Sequence, residues 1–170
     1  MPLTYLGLGS NKGERLQFIE KAVYEISQID STTVLRTSHV YETEPWGIRE
    51  QNFFLNCVAE IESGLDVFEL APRLKEIEKI LGRTDSSKWH EREIDIDLLF
   101  YGDTIVDDPA LQIPHPGISS RNFVLVPLNE LAPYLIHPVS GKTIVDMLNE
   151  STDNLGVIAN GTLSFSGRIS

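Results

Sequence analysis

Apolar and polar residues follow two different periods along the first third of the chain, and each period predicts an element. Residues 3–8 form a short apolar run that ends in the turn-forming residues 9–11, which indicates a core strand. Apolar side chains recur every three or four positions over residues 14–29, and this spacing predicts an amphipathic helix. Residues 32–42 are rich in threonine and valine and predict a second strand.

Both periods return in the middle of the chain. Residues 53–61 alternate between two sets of side chains, as expected for a strand with two distinct faces. Asp66 and Glu69 resemble a capping box, and they open a second amphipathic helix that Gly82 is expected to end. A further short helix is expected over residues 143–148.

The order of these elements indicates the fold class. A polar segment without periodicity, residues 82–91, predicts a mobile loop that leads into an apolar strand over residues 92–100. Strand, helix, strand, strand, helix and strand then follow one another, which is the split βαβ order of ferredoxin-like folds. We therefore predict an α+β protein with a largely antiparallel sheet and helices packed on it, built as a single domain over residues 1–170.

Two aspartates interrupt the last of these strands. Because side chains alternate along a strand, Asp95 and Asp97 are expected on one face and Ile96 and Leu98 on the other. Carboxylates on one face repel each other, so a bound cation or a basic neighbour is expected over them. Mg²⁺ prefers such oxygens, and one or two ions could lie between the protein and a nucleotide. An acidic, solvated strand face is the alternative that this spacing leaves open.

Composition and charge narrow the function classes. The 170 residues are 41% apolar and 23% charged, as in ordinary globular domains, and the net charge is −11. This charge argues against broad binding to nucleic acid or to an anionic membrane. No segment has the length of a transmembrane helix or the character of a secretory signal, so a cytoplasmic location is expected. The single cysteine, Cys57, lies in an apolar run and predicts a buried structural thiol.

A local basic cluster nevertheless stands beside the aspartates. Arg83, Lys88 and Arg92 fall within ten residues, and His115 and Arg121 follow. Guanidinium groups offer a planar fork of donors to phosphate oxygens, so this cluster favours an anionic small ligand.

Eight segments, in order and spacing, resemble the 6-hydroxymethyl-7,8-dihydropterin pyrophosphokinases, folate-pathway enzymes that move a pyrophosphoryl group from ATP to a pterin alcohol. The likeness covers residues 3–150. The segments are GLGSN (7–11), YETEPWG (41–47), FLN (54–56), GR (82–83), REIDIDLL (92–99), IPHP (113–116), RNFVLVPL (121–128) and AP (132–133).

The resemblance implies a role for each group of residues. Asp95 and Asp97 are expected to bind two Mg²⁺ ions that bridge the triphosphate of the co-substrate ATP. Arg83 and Arg92 are expected to bind phosphate oxygens. These four residues form the expected catalytic set. The pterin is expected to contact Thr43, Pro45, Trp46, Phe54, Asn56, Trp89 and Phe123, with the two phenylalanines stacking and Asn56 reading the pterin edge. ATP is expected to contact Glu78, Trp89, Arg92, Leu98, His115 and Arg121.

Several positions depart from the family pattern. His90 replaces a small residue before Arg92, and Thr84 and Asp85 follow Arg83 where a second arginine is common. Ala110 and Pro116 replace side chains that touch the nucleotide in some relatives. These departures are expected to affect ATP affinity and loop closure more than the reaction.

The resemblance and the composition together predict a cytoplasmic, monomeric pyrophosphokinase that uses ATP, Mg²⁺ and 6-hydroxymethyl-7,8-dihydropterin, with no nucleic-acid or membrane partner. A noncatalytic nucleotide or pterin sensor of the same fold is the alternative. A metal-dependent nuclease using the aspartate pair is a further alternative, which the net charge of −11 disfavours.

Overall fold

The strands in the described part of the chain form one six-stranded sheet and one small hairpin. A computed structural model describes residues 1–43, 52–83 and 92–163. In chain order, the elements within these ranges are β1 Leu3–Ser10, α1 Arg15–Ser27, β2 Thr32–Thr37, β3 Tyr41–Thr43, β4 Phe54–Ser63, α2 Val67–Ile80, β5 Asp95–Tyr101, β6 Val106–Asp108, β7 Leu111–Ile113, α3 Asn122–Leu131, α4 Ile144–Glu150 and β8 Val157–Ala159. None of the helices in the described ranges has the length and apolar content needed to cross a bilayer.

The strand order confirms the predicted fold class. The main sheet runs β5-β1-β4-β3-β8, β2 also pairs with β4, and every pairing is antiparallel. The strands on either side of α1 are therefore parallel with β4 between them, and those on either side of α2 are parallel with β1 between them. This is the split βαβ arrangement of a ferredoxin-like α+β fold. The hairpin of β6 and β7 lies outside this sheet.

Helices cover both faces of the sheet, and each face has its own core. On one face the apolar stripes of α1 and α2 pack on the sheet, including Ile19, Val23, Ile26, Leu70, Leu74 and Ile77. On the opposite face α3 and α4 pack on Tyr5, Val58, Leu99 and Phe100. Cys57 is buried as predicted, and burial raises the pKa of its thiol to about 12.

The helix boundaries follow the local sequence signals where those signals are strong. Asp66 caps α2 as predicted, since its Oδ1 accepts hydrogen bonds from the backbone N–H groups of Phe68 and Glu69. The helix ends before Gly82, whose φ of +96° suits glycine. The predicted helix near residue 143 is confirmed as α4, with the Thr143 hydroxyl accepting from Asp146 N.

One predicted strand was wrong in its extent, and one helix and three strands were not predicted. The single strand predicted over residues 32–42 is two strands, because the chain leaves the ladder at Ser38, whose hydroxyl accepts from Val58 N at 2.9 Å. The ten-residue helix α3 was not predicted, because its apolar residues show no narrow stripe and Pro127 lies inside it. Strands β6, β7 and β8 were likewise not predicted.

A partly buried hydrogen-bond network ties α3 to the sheet. The Tyr5 hydroxyl donates to Glu60 Oε2 at 2.7 Å, and the Arg36 guanidinium donates to both Glu60 oxygens at 3.0 Å. Arg36 also donates to the carbonyl oxygen of Leu131, at the end of α3, at 2.7 Å. Burial alone would raise the pKa of Glu60, but the hydrogen bonds from Arg36 and Tyr5 lower it overall.

This network predicts a pH-dependent contribution to stability. Because its pKa is lowered by folding, Glu60 stabilises the protein above the ordinary glutamate pKa of about 4.3, and this contribution is lost as the pH falls through the lower folded value. At pH 7 we expect Glu60→Gln to reduce the free energy of unfolding by about 1–3 kcal/mol in urea titrations. The difference from wild type should shrink below about pH 4. Glu62→Gln on the same strand is the control, and an unchanged midpoint for Glu60→Gln at pH 7 would contradict the prediction.

Candidate active site

Three neighbouring strands form the floor of a groove. Gly9 on β1 lies directly opposite Asn56 on β4 and, on its other side, opposite Asp95 on β5. Directly opposed residues project from the same face of a sheet, so an amide and a carboxylate flank a position with no side chain. A Cβ atom on Gly9 would lie 2.7 Å from Asn56 Oδ1. The groove between Asn56 and Asp95 therefore depends on glycine at this position.

The next row of the same face repeats this arrangement. Gly7 lies between Val58 and Asp97, two residues along from the first row. Asp95 and Asp97 thus share one face, as predicted, whereas Ile96 and Leu98 belong to the core beneath α1 and α2. Both aspartates are partly exposed at the edge of the sheet, because β5 is the terminal strand.

The side of the groove formed by Asn56, the amide wall, contains residues predicted to bind the pterin. Asn56 is 7% exposed, and its Nδ2 donates to Thr43 Oγ1 at 2.7 Å. Phe54 lies on the same strand face two residues earlier and is partly exposed. Phe123, near the start of α3, packs partly on the core of this face, and the Arg121 guanidinium lies 5.8 Å from its ring centroid. The structure thus brings Thr43, Asn56 and Phe54 together on the face that α3 covers.

The side of the groove formed by Asp95 and Asp97, the acidic wall, has the basic neighbours that were expected from the sequence. Arg92 Nη1 lies 3.0 Å and Arg83 Nη1 3.1 Å from Asp95 Oδ1. Burial raises the pKa of Asp95, repulsion from Asp97 raises it further, and the two arginines oppose both effects. The net shift is upward, and burial is its largest cause. A further cation at this position would lower the pKa of Asp95.

Glu78 lies beneath Arg83 rather than in the open part of the site. Its carboxylate is 2% exposed, accepts a hydrogen bond from the Arg83 guanidinium and lies 3.0 Å from Lys75 Nζ. Arg83 is consequently held between Glu78 and Asp95. Glu78 was predicted to contact ATP, and in this arrangement we expect it to act by positioning Arg83.

A cavity of about 570 Å³ adjoins the aspartates at the edge of β5. Its walls come from α2, from β5 and from the segment that contains β7, and they are mostly apolar. Leu98, His115 and Asp97 line it, as do Ala110 and Pro116, the two described positions that depart from the family pattern. Arg121, also predicted to contact ATP, is not among the lining residues, and its guanidinium lies over the ring of Phe123.

His115 is held as a neutral hydrogen-bond donor. Its Nδ1 accepts from Gly117 N at 3.1 Å, which leaves the proton on Nε2. Burial lowers the pKa of His115, the positive charge of Arg121 lowers it further, and the negative charge of Asp97 opposes this. The imidazole is therefore uncharged at neutral pH and can donate one hydrogen bond to an anionic ligand.

Sequence reasoning missed the role of Asn11. This residue is fully buried, its Oδ1 accepts from Arg92 N at 2.7 Å, and its own N–H donates to the Arg92 carbonyl at 3.1 Å. Its Nδ2 also donates, at 3.4 Å, to the carbonyl oxygen of Asn52. The residues after β1 were interpreted only as a structural turn. The signal in the sequence is an asparagine directly after an apolar strand, since a polar side chain beside the core needs a hydrogen-bond partner from another segment.

Part of the predicted site cannot be placed. Pro45, Trp46 and Trp89 lie outside the described residues, as do Thr84, Asp85 and His90. Their assignments remain predictions from the resemblance.

The donor chemistry of the acidic wall fits a hard divalent cation. Within residues 1–43, 52–83 and 92–163, no group of three or more His, Cys, Asp or Glu side chains is arranged to hold a metal ion. Mg²⁺, however, is commonly bound through one or two carboxylates, with substrate phosphates and water completing its octahedron. Asp95 and Asp97, with partly exposed oxygen donors on one strand face, meet that requirement.

Comparison with known proteins identifies the family. Residues 5–133 match the family described as 7,8-dihydro-6-hydroxymethylpterin-pyrophosphokinase (HPPK). The chain belongs to this family. The matched region contains every site residue discussed above, including the aspartate pair, Asn56, His115 and Phe123.

Relatives in this family support the assignment over most of the chain. The 2-amino-4-hydroxy-6-hydroxymethyldihydropteridine pyrophosphokinase of Aquifex aeolicus is 39% identical over 152 residues, which is 89% of this chain and 94% of that protein. The folic acid synthesis protein fol1 of Pneumocystis carinii is 39% identical over 150 residues, which cover 88% of this chain and only 20% of fol1.

Solved structures confirm the fold. The Plasmodium falciparum HPPK-DHPS structure A437G with STZ-DHP superposes with a TM-score of 0.71 at 16% sequence identity, over 87% of this chain. The aligned region is 45% of that longer protein, so the chain spans less than half of it.

Proposed function

We propose that this chain transfers a diphosphate group from ATP to 6-hydroxymethyl-7,8-dihydropterin, giving the pterin diphosphate and AMP in folate biosynthesis, in a reaction that requires Mg²⁺. Membership of the HPPK family and the names of the relatives support the pyrophosphokinase activity. The relatives are named as enzymes, and none of them supports the alternative of a noncatalytic sensor.

One observation in the structure carries the proposal. The aspartate pair lies where two differently built sites meet: Asp97 lines the apolar cavity, and Asp95 faces the groove whose opposite wall is Asn56. The cavity has the size and apolar lining of a small-ligand site, while the groove offers an amide and partly exposed aromatic faces to a flat polar ring. Carboxylates between the two sites are placed to act where the ligands meet.

The reaction needs positioning and charge neutralisation more than covalent help. The hydroxymethyl oxygen of the pterin attacks the β-phosphorus of ATP, the bond from that phosphorus to the oxygen bridging the α-phosphorus breaks, and AMP leaves as the hydroxyl proton is released. Arg83 and Arg92, beside Asp95, would bind oxygens of the transferred group. Mg²⁺ bound by Asp95 and Asp97 would supply further neutralisation of phosphate charge.

Product analysis tests the proposal. The protein is mixed with ATP, Mg²⁺ and 6-hydroxymethyl-7,8-dihydropterin, and AMP is separated from ADP by ion-exchange chromatography. We expect AMP and the pterin diphosphate to form in equal amounts. No AMP should form when the pterin is omitted or when Mg²⁺ is removed with a chelator. ADP would indicate an ordinary kinase, and tight binding of both ligands without product would favour the sensor.

His115 provides a separate prediction about the nucleotide. Because the neutral imidazole can donate one hydrogen bond to phosphate, His115→Ala should weaken ATP binding by about five- to twentyfold, the value of one such bond. Binding of the pterin alone should be unchanged, because His115 lines the cavity and not the groove. Isothermal titration with each ligand measures both values. Equal weakening of the two ligands would contradict the assignment.

A further inference from the structure

The segment that follows α4 contacts both the start of α3, which carries Phe123, and β3, which carries Thr43. It comprises residues 151–161 and lies outside the region that matches the HPPK family, which ends at residue 133. The nucleotide cavity contains no residue of this segment and none of α3. The segment can therefore influence the groove without touching the cavity.

One contact fixes the start of α3. Asp153 Oδ2 accepts from Asn122 N at 2.8 Å, and Asn122 Nδ2 donates in return to the Asp153 carbonyl at 3.1 Å. The first N–H groups of a helix lack partners within the helix, and Arg121, the cap residue of α3, provides no side-chain acceptor. Asp153 supplies that acceptor from 31 positions away, and its negative charge also favours a helix N-terminus.

The position of Asn122 gives this contact its significance. Asn122 lies between Arg121 and Phe123, and Phe123 is the side chain of α3 predicted to stack on the pterin. Asp153 is itself held, because its Oδ1 accepts from Leu155 N at 3.0 Å and its N–H donates to Ser151 Oγ at 3.2 Å. A fixed carboxylate thus determines where α3 begins.

The same segment continues into the sheet beside the strands that carry Thr43 and Asn56. In β8, Val157 pairs with Thr43 of β3, and Thr43 Oγ1 accepts the hydrogen bond from Asn56. Asn160 N donates to the Val40 carbonyl, and Val40 N donates to the Gly161 carbonyl, both at 2.7 Å. The segment therefore connects the Phe123 side of the groove to the Thr43 and Asn56 side.

We propose that Asp153 is a positioning residue for the pterin: by anchoring Asn122 within this segment, it sets the distance between Phe123 and the Asn56 wall. The inference rests on the proposed function, since it assumes that the groove binds the pterin. Loss of the anchor should weaken pterin binding selectively and leave ATP binding in the separate cavity unchanged.

The test is isothermal titration of the full chain with 6-hydroxymethyl-7,8-dihydropterin and, separately, with ATP and Mg²⁺. We expect Asp153→Ala to raise the Kd of the pterin about five- to twentyfold, the loss of one charge-assisted hydrogen bond, with the Kd of ATP within twofold of wild type. Asp153→Asn, which keeps one acceptor oxygen for the N–H groups of Asn122 and Leu155, should recover part of the affinity. Asn154→Ala, at the exposed neighbouring position, is the matched control and should behave as wild type.

The titration separates positioning from folding. A merely destabilised variant would raise the apparent Kd of pterin and of ATP by the same factor, because both ligands bind only the folded fraction. An unchanged pterin Kd for Asp153→Ala, or equal weakening of pterin and ATP, would overturn the inference. If Asp153→Ala does not fold, Asn122→Ala provides the test instead. This variant removes only the hydrogen bond to the Asp153 carbonyl and should raise the Kd of the pterin about threefold. A wild-type chain that binds the pterin but forms no AMP would refute the proposed function and leave this test valid.

Discussion

Asp97→Asn is expected to reduce kcat about a thousandfold, equivalent to about 4 kcal/mol of transition-state stabilisation, while the protein stays folded. The change removes one of the two carboxylates that meet the cavity and the groove, and it keeps the size of the side chain. The described residues form no salt bridge with Asp97, and its charge raises the pKa of Asp95. Losing that repulsion should leave the melting temperature unchanged or higher.

Opposite effects on activity and stability would distinguish a functional residue from a structural one. Steady-state kinetics at several Mg²⁺ concentrations, together with a thermal melt, provide both values. Asp107→Asn, the same change at an exposed position on β6, is the control and should leave both values unaltered. A normal kcat for Asp97→Asn at all Mg²⁺ concentrations would remove Asp97 from the proposed metal site.

Gly9→Ala is expected to weaken pterin binding about thirtyfold or more, equivalent to about 2 kcal/mol. The added Cβ would lie 2.7 Å from Asn56 Oδ1, so the amide must move away from the groove. Asn56 is buried and bonded to Thr43, and its movement would also break that hydrogen bond. ATP binding in the cavity should be close to that of wild type, because neither Gly9 nor Asn56 lines it.

Gly7→Ala on the same strand and face is the matched control. Its Cβ would lie 3.5 Å from the nearest atoms of Leu99, which is ordinary van der Waals contact. We expect Gly7→Ala to bind the pterin within threefold of wild type in the same titration. If the two substitutions have equal effects, the loss comes from the strand as a whole and the specific role of Gly9 is wrong.

The split βαβ core could be predicted because its signals are local. The stripe of α1, the alternation of β4 and the Asp66 cap each lie within one element, and the structure confirms all three. Helix α3 had no such signal, because part of what fixes its start is Asp153, 31 positions further along the chain. An element anchored by a distant residue cannot be identified from its own composition.

The site shows the same division. The like charges of Asp95 and Asp97 called for basic partners, and Arg83 and Arg92 provide them. The groove itself could not be predicted, because it requires Gly9 to stand opposite residues of two other strands, and strand register is a property of the folded sheet. The contact between Asn11 and Arg92 could not be predicted for a similar reason, since its hydrogen bond joins positions 81 apart in the sequence.

The row of Asn56, Gly9 and Asp95 also fixes the width of the groove. Adjacent hydrogen-bonded strands lie about 4.8 Å apart, so the backbones at the two walls are about 10 Å apart. Backbone hydrogen bonds fix this width, and substitutions at Asn56 or Asp95 change the chemistry of a wall without moving the strand beneath it. A ligand that contacts both walls would therefore have to match this width as well as the hydrogen bonds that the walls offer.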